Sequence, residues 1–164
     1  MLYQWIIFLH VVSAFVFFMA HGVSIGVALW LRRERQPERL RPLLELSRST
    51  RTVVNGSLVV LMLTGIAGGF MLDWWHMGWI WVSLVLMVVL SIGMMRGMTP
   101  YFNTLRKAVG SPYTEAGKSL PAQVPASEAE IQTLLQSARH LWIAAVFGIS
   151  VMVIILYLMM FKPF

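Results

Sequence analysis

The stretch "FLHVVSAFVFFMAHGVSIG" at residues 8–26 is apolar enough to lie in lipid, yet it contains two histidines, His10 and His21. An imidazole is costly inside a bilayer unless a neighbouring group or a ligand satisfies it. The stretch therefore predicts a membrane-spanning helix and raises the question of what its two histidines bind.

The composition of the whole chain is typical of a membrane protein. Of its 164 residues, 58% are hydrophobic and only 12% are charged, whereas soluble domains are about half apolar and about a quarter charged. Four apolar runs, at about 5–31, 53–72, 77–95 and 141–161, reach the about 20 helical residues that span a hydrocarbon core. We expect an all-α fold in which residues 1–164 form a single membrane domain, a four-helix, up-and-down transmembrane bundle.

Several functional classes are excluded or disfavoured. The chain has no cysteine, which excludes disulfides, thiolate metal sites and iron–sulfur clusters. It contains no Walker loop, no H-E-x-x-H and no G-x-S-x-G sequence. Apart from the histidines, no charged residue lies clearly inside a span, which disfavours a transporter or ion pathway. We therefore expect no catalytic activity of the chain's own and no metal site other than haem iron.

The basic residues predict the orientation in the membrane. Twelve of the thirteen arginines and lysines fall in two loops, at about 32–52 and 96–140, and only Lys162 lies on the opposite side. The positive-inside rule then places both loops in the cytoplasm and both termini outside, in a bacterial inner membrane. Basic loops in this position suit membrane lipids or an acidic partner surface, and we expect no nucleic acid to bind.

The loops and span ends carry further signals. We expect 32–52 to form a solvated helical connector, and the Gly- and Pro-rich middle of 96–140 to lack regular structure. Ser127 and Glu130 form a capping box that predicts a helix start before the last span.

Two glycine pairs at i,i+4 spacing suit close helix packing: Gly22 with Gly26, and Gly65 with Gly69. Four tryptophans predict an interfacial aromatic belt on the outer face: Trp74, Trp75, Trp79 and Trp81.

His10 and His21 lie on one face of the first helix. They are 11 residues apart, which corresponds to an angular offset of about 20° and an axial separation of about 16 Å. The same stripe carries small or aromatic residues (Ser13, Ala14, Phe17, Ser24 and Ala28), and the opposite face carries Val11, Phe15, Phe18 and Leu29. We expect the histidine stripe to face the interior of the bundle.

Interior histidines favour a haem site, because neutral imidazole is a common axial ligand of haem iron. His10 and His21 are candidate axial ligands of b-type haem, but at this separation they cannot share one haem. Met87 and Met152 are expected near the depth of His10 and are weaker candidate ligands, and Met94 and Met95 lie near the depth of His21.

Two other interpretations stay open for the histidines. They would instead bond to hydroxyls of neighbouring helices, with Ser57, Thr64, Ser83 and Ser91 available, or they would hold a pigment, a quinone or a metal ion. His76 and His140 are expected at the two membrane interfaces, where they need no special role.

The opening "FLHVVSAFVFFMAHG" resembles the first helix of small bacterial four-helix membrane proteins of the copper resistance D and protoporphyrinogen-oxidase-like families, and of a related uncharacterised family with a basic first loop. The likeness extends over about the first two helices. It implies that His10 is an axial haem ligand, as the first-helix histidine is in haem-binding members. The chain lacks the Trp-Phe-Ala/Gly-Gly-type continuation after the histidine and a lysine in a later helix, so the resemblance does not extend to the oxidase activity.

These signals together predict a small integral membrane subunit of an electron-transfer or other bioenergetic complex, with b-type haem on interior histidines. The alternative is a cofactor-free accessory subunit that stabilises a larger membrane complex. In both cases the expected partners are membrane lipids and larger membrane protein subunits.

Overall fold

The computed structural model describes residues 1–115, 118–137 and 140–164, and it is built around four long apolar helices that could cross a membrane. These are α1 (Leu2–Leu31), α2 (Pro37–Met71), α3 (Gly78–Ala108) and, after a shorter α4 (Glu128–Ser137), α5 (His140–Phe161). A single 3₁₀ turn, Trp74–His76, joins α2 to α3. Each of the four predicted spans falls on one of the four long helices, with Leu72 and Met77 just outside the ends of α2 and α3.

The long helices form two antiparallel pairs. The closest packing is between α1 and α2 and between α3 and α5, and smaller contacts of α1 with α5 and of α2 with α3 close the arrangement. The apolar core of the bundle consists of Phe17, Leu61, Met87, Leu90, Val151, Met152 and Ile155. Large apolar side chains on the outer faces are exposed, as expected for helices that contact lipid.

Helices α2 and α3 are longer than a bilayer requires. With 35 and 31 residues, they exceed the about 20 residues that span the hydrocarbon core. The extra turns project at the end of the bundle where α1 ends and α2 begins, here called the basic end because the sequence places its arginines there. The expected solvated connector at 32–52 is therefore helical from Pro37 onward, but one of its faces is buried.

A second apolar core fills the basic end. Leu40 and Leu44 of α2, Leu105 of α3 and Leu135 of α4 are each 0–1% exposed and belong to one cluster, the basic-end core. The guanidinium of Arg106 is buried beside it and donates to the Leu44 carbonyl and to the Ser47 hydroxyl, both at 3.1 Å. The two segments that the sequence predicts as loops thus pack together as a small helical layer.

The segment between α3 and α4 also has regular structure. Strands β1 (Tyr113–Glu115) and β2 (Lys118–Leu120) pair antiparallel, with Tyr113 opposite Leu120. The expectation that this segment lacks regular structure is wrong for these residues. Gly110 has φ +66°, and a Cβ there would lie 2.8 Å from Pro125 Cγ. Only glycine permits this turn, which brings the chain back along the end of α3.

The capping signal before α4 is confirmed, since the Ser127 hydroxyl accepts a hydrogen bond from the Glu130 amide at 3.4 Å. The predicted continuation of this helix into the last span falls on residues 138 and 139, which lie outside the described residues.

The opposite end of the bundle contains the four tryptophans that the sequence assigns to an interfacial belt. Trp81 is 54% exposed, which suits that position, but Trp79 is only 1% exposed and packs with Ile80 and Leu158. The expectation is therefore wrong for Trp79. The side chain of Lys162 lies beside this indole: its Nζ is 5.8 Å from the Trp79 ring centroid and 4.0 Å from that of Trp74.

Leu135→Ala tests whether the basic-end core contributes to stability. Truncating a fully buried leucine costs about 2–5 kcal/mol, so we expect a loss of that size in the free energy of unfolding, measured in detergent micelles. Val124→Ala, at a side chain that is 90% exposed, is the control and should stay within about 0.5 kcal/mol of the wild type. Equal effects of the two variants would show that α4 does not pack on the bundle.

Candidate functional site: the histidine stripe of α1

The predicted histidine stripe faces the interior of the bundle, as expected. Ser13, Phe17, His21 and Ala28 are 1–7% exposed, and His10 is half-buried near the start of the helix. On the opposite face, Val11 and Phe15 are exposed, whereas Phe18 and Leu29 are partly buried.

His10 is held by α2. Its Nδ1 lies 3.0 Å from the Thr64 hydroxyl oxygen. Gly65 lies against the same ring, since a Cβ at that position would be 3.1 Å from His10 Cε1. The absence of a side chain at Gly65 thus allows α1 and α2 to approach closely at this level, which confirms a packing role for this glycine.

The hydroxyl of Thr64 favours one tautomer of His10. A hydroxyl has one proton, and the Thr64 oxygen lies 2.7 Å from the Val60 carbonyl and 3.1 Å from the Leu61 carbonyl of its own helix, to which it can donate. With its proton donated there, the oxygen accepts, and the tautomer with the proton on His10 Nδ1 fits the contact. In the neutral ring Nε2 is consequently unprotonated and presents a lone pair.

His21 has a different environment. Its ring is 3% exposed and stacks on Phe17, with centroids 5.9 Å apart and an interplanar angle of 19°. Its Nε2 is buried and has no hydrogen-bond partner among the described residues. A buried polar atom without a partner lowers the stability of a fold by about 1–3 kcal/mol. The imidazole of His21 is therefore destabilising at this position.

Helix α5 closes the space in front of His21. A Cβ on Gly148 would lie 3.0 Å from His21 Nε2 and 3.8 Å from Leu90 Cδ1. Glycine at 148 is therefore what makes room for the imidazole between α1 and α5. No pattern in the sequence indicates this pairing, because Gly148 is the single glycine of the apolar helix α5.

The candidate methionine ligands lie in the bundle core. Met87 and Met152 are 8% and 5% exposed and belong to the same apolar cluster as Phe17 and Leu61. Phe17 follows His10 by seven residues, or about 10 Å along the helix. Of the other two methionines, Met94 is partly buried and Met95 is 65% exposed.

The remaining histidines lie away from this stripe. His76 is exposed in the 3₁₀ turn, with its Nδ1 3.9 Å from the Asp73 carboxylate. His140 is the first residue of α5, and its side chain is outside the described residues. Within the described part of the chain, no three His, Cys, Asp or Glu side chains come together as a metal site would require.

Comparisons with known proteins add no assignment. No family model matches the chain, and neither the curated proteins nor the solved structures searched include a significant match. The resemblance of the first two helices to haem-binding families therefore stays a prediction.

Thr64→Val tests the contact between α1 and α2. Removing the hydroxyl keeps the shape of the side chain but leaves His10 Nδ1 without its acceptor. Hydrogen bonds between membrane helices contribute about 0.6 kcal/mol on average and at most about 1.7 kcal/mol, and we expect a loss in that range in the free energy of unfolding. Thr50→Val is the matched control, because among the described residues the Thr50 hydroxyl bonds within its own helix, to the Leu46 carbonyl. An equal loss in the two variants would contradict the interhelical contact.

Gly148→Ala tests the closure around His21. The added Cβ would press on the imidazole, and overpacking of this kind costs about 1–3 kcal/mol. In a His21→Ala background the same substitution should cost less, with a coupling energy of at least about 0.5 kcal/mol, measured by a double-mutant cycle in micelles. Gly22→Ala serves as the control, since a Cβ there has no atom within 4 Å. A coupling energy near zero would show that His21 and Gly148 do not touch.

Proposed function

We propose that the chain is a small membrane subunit that binds a b-type haem through His10 and takes part in electron transfer within a larger membrane complex. The observation that carries the proposal is the contact between His10 Nδ1 and the Thr64 hydroxyl. It fixes the ring and leaves Nε2 with the lone pair that a haem iron requires.

Thr64 has the role of an outer-shell partner in this proposal. Metal-ligating histidines almost always donate their second ring nitrogen to a hydrogen-bond acceptor, which orients the ring and raises its basicity. Thr64 is itself oriented by its bond to the Val60 carbonyl. When bound, the haem would supply a one-electron redox centre, and the chain's part is to hold and orient its axial ligand.

His21 is left out of the proposed haem site, although the sequence made it an equal candidate. A haem iron lies about 2 Å from its ligand nitrogen, with the porphyrin ring extending across that bond. The space in front of His21 Nε2 is closed by α5 at Gly148, where even a Cβ would lie only 3.0 Å from this nitrogen. A porphyrin there would require α1 and α5 to separate. Met87 and Met152 stay weak candidates from the sequence alone, because both belong to the apolar cluster of Phe17, about 10 Å along α1 from His10.

The proposal includes an orientation and a location. Twelve of the thirteen basic residues lie in the sequence segments 32–52 and 96–140. This charge distribution favours the cytoplasm for the basic end of the bundle and the outside for both termini. The membrane would be the inner membrane of a bacterium. A haem at His10 would then exchange electrons with a partner subunit near the outer surface.

The test is a reduced-minus-oxidised absorption spectrum of the detergent-purified protein reconstituted with haem, with a pyridine haemochrome assay for stoichiometry. We expect about one b-type haem per chain. His10→Ala should abolish the signal, Thr64→Val should weaken haem affinity about 10–100-fold, and His76→Ala, at an exposed histidine, should leave it unchanged. Circular dichroism checks that each variant keeps its helices. A folded wild-type protein that binds no haem at saturating supply would end the proposal.

One observation favours a second candidate function, a cofactor-free accessory subunit that stabilises larger membrane partners. His21 fits tightly between Phe17 and Gly148, as a structural histidine does, and the His10 contact with Thr64 would serve packing equally well. Under this alternative His10→Ala would change no spectrum and would instead reduce the recovery of co-purifying membrane subunits.

A further inference from the structure

A cleft of about 550 Å³ lies at the basic end, between the end of α1 and the start of α5. Its walls are formed by Gly26, Leu29, Trp30, Arg32, Arg33 and Trp142. Two guanidinium groups, two indoles and an apolar floor thus meet where the membrane-spanning part of α1 ends. Neither the histidine stripe nor the proposed haem site uses these residues.

The two arginines of this cleft form no ion pair with the described part of the chain. Within the described residues, neither Arg32 nor Arg33 has a carboxylate within 4.0 Å. The nearest acidic residue in sequence, Glu34, is engaged elsewhere: its carboxylate accepts hydrogen bonds from the amides of Arg35 and Gln36, both at 3.0 Å. The two arginines also stand at the C-terminal end of α1, where the helix dipole favours cations.

The two tryptophans flank the charged region. Trp30 and Trp142 are 64% and 51% exposed, although each is large and apolar. Indole rings favour the headgroup level of a bilayer, because the ring is apolar and its N–H is a donor. Their exposure on either side of the arginines indicates that the cleft lies at the level of lipid phosphates.

The floor of the cleft is open toward the middle of the helix. A Cβ on Gly26 would have no atom within 4 Å, and the same is true of Gly22, one turn deeper. The predicted use of this glycine pair in packing is therefore wrong within the chain. The pair instead leaves a shallow strip along α1, without side chains, that continues from the cleft toward the hydrocarbon region.

We propose that this cleft binds one anionic phospholipid. The phosphate would accept charge-assisted hydrogen bonds from Arg32 and Arg33, the indoles of Trp30 and Trp142 would flank the glycerol region, and one acyl chain would lie along Gly26 and Gly22. The site would select a lipid whose phosphate headgroup carries a net negative charge and is attached to an acyl chain.

A second copy of the chain fits this surface less well. A two-fold dimer places the same patch of each copy against the other. Pairing along Gly22 and Gly26 would bring Arg32 and Arg33 of both copies together, and like charges in contact disfavour association. An anionic lipid has the complementary charge.

Native mass spectrometry of the protein in a mild detergent, titrated with phosphatidylglycerol or with phosphatidylcholine of the same acyl chains, tests the proposal. We expect a saturable one-to-one adduct with phosphatidylglycerol and a much weaker one with phosphatidylcholine. A basic residue near an anionic lipid surface contributes about fivefold in affinity (about 1 kcal/mol), so the double variant Arg32→Gln/Arg33→Gln should bind phosphatidylglycerol roughly 25-fold more weakly. Arg39→Gln, at an exposed arginine outside the cleft, should change affinity little.

A second variant tests the site by shape without changing charge. A Cβ at Gly26 has no atom within 4 Å, so Gly26→Leu would fill the cleft from its floor, and we expect the fold to be kept and the adduct lost. Gly56→Leu is its control, because a Cβ at Gly56 also has no atom within 4 Å and lies on α2, away from the cleft.

The outcomes are distinguishable. Equal binding of the two lipids, or an adduct that survives both the arginine pair and Gly26→Leu, would overturn the proposal. Loss of the adduct in millimolar inorganic phosphate would show a simple anion site and would also overturn it. A dimer that disappears in Gly26→Leu, without lipid selectivity, would assign the surface to a second copy of the chain.

Discussion

The absence of water in the hydrocarbon core is the constraint on which this structure depends. Every backbone and side-chain polar group in the spans has to find a partner within the protein. The hydroxyls of the spans do so locally, by donating to a carbonyl one turn earlier in their own helix, as Ser13, Ser57, Thr64, Ser83 and Ser91 do. The imidazoles cannot be satisfied in this way. They depend on other helices, and the two differ in outcome: His10 Nδ1 contacts the Thr64 hydroxyl, whereas His21 Nε2 faces Gly148 and has no hydrogen-bond partner among the described residues.

The same constraint links a structural feature to the proposed chemistry. Because the Thr64 hydroxyl is placed to donate to the Val60 carbonyl of its own helix, its oxygen can accept from His10, and this contact favours the tautomer that can bind a metal through Nε2. A hydroxyl that was free to rotate would leave the tautomer open. The candidate site is thus determined by a three-part chain of contacts from the Val60 carbonyl through Thr64 to His10, and not by the histidine alone.

Outside the spans, the fold is stabilised mainly by the burial of apolar surface. The leucines of the basic end have no lipid to face, so they pack on one another and order the segments that the sequence describes as loops. The buried Arg106 adds polar contacts from α3 to α2. The cleft beside this layer has two exposed tryptophans and two arginines that form no ion pair among the described residues. This combination suits the boundary between water and lipid.

The sequence by itself determined the class of the protein. The length and composition of four apolar runs are enough to predict four spanning helices, since helices are the structures that satisfy a backbone in lipid, and the 3.6-residue period places His10 and His21 on the interior face. The capping residues before α4 are equally local and were predicted for the same reason.

Tertiary structure alone decided how these elements meet. Helix rotation and tilt set the contact of His10 with Thr64 among four available hydroxyls, and they set Gly148 against His21, although nothing in the sequence of α5 marks that glycine. The leucines of 32–52 resemble those of any amphipathic connector until α3 and α4 supply the surface that covers them. The glycine pair of α1 has the spacing of a packing motif, yet α2 packs on a different face and leaves it open. Each of these outcomes depends on which helix faces pack together in the bundle. The sequence of one helix shows which residues share a face, but not which face of another helix that face contacts.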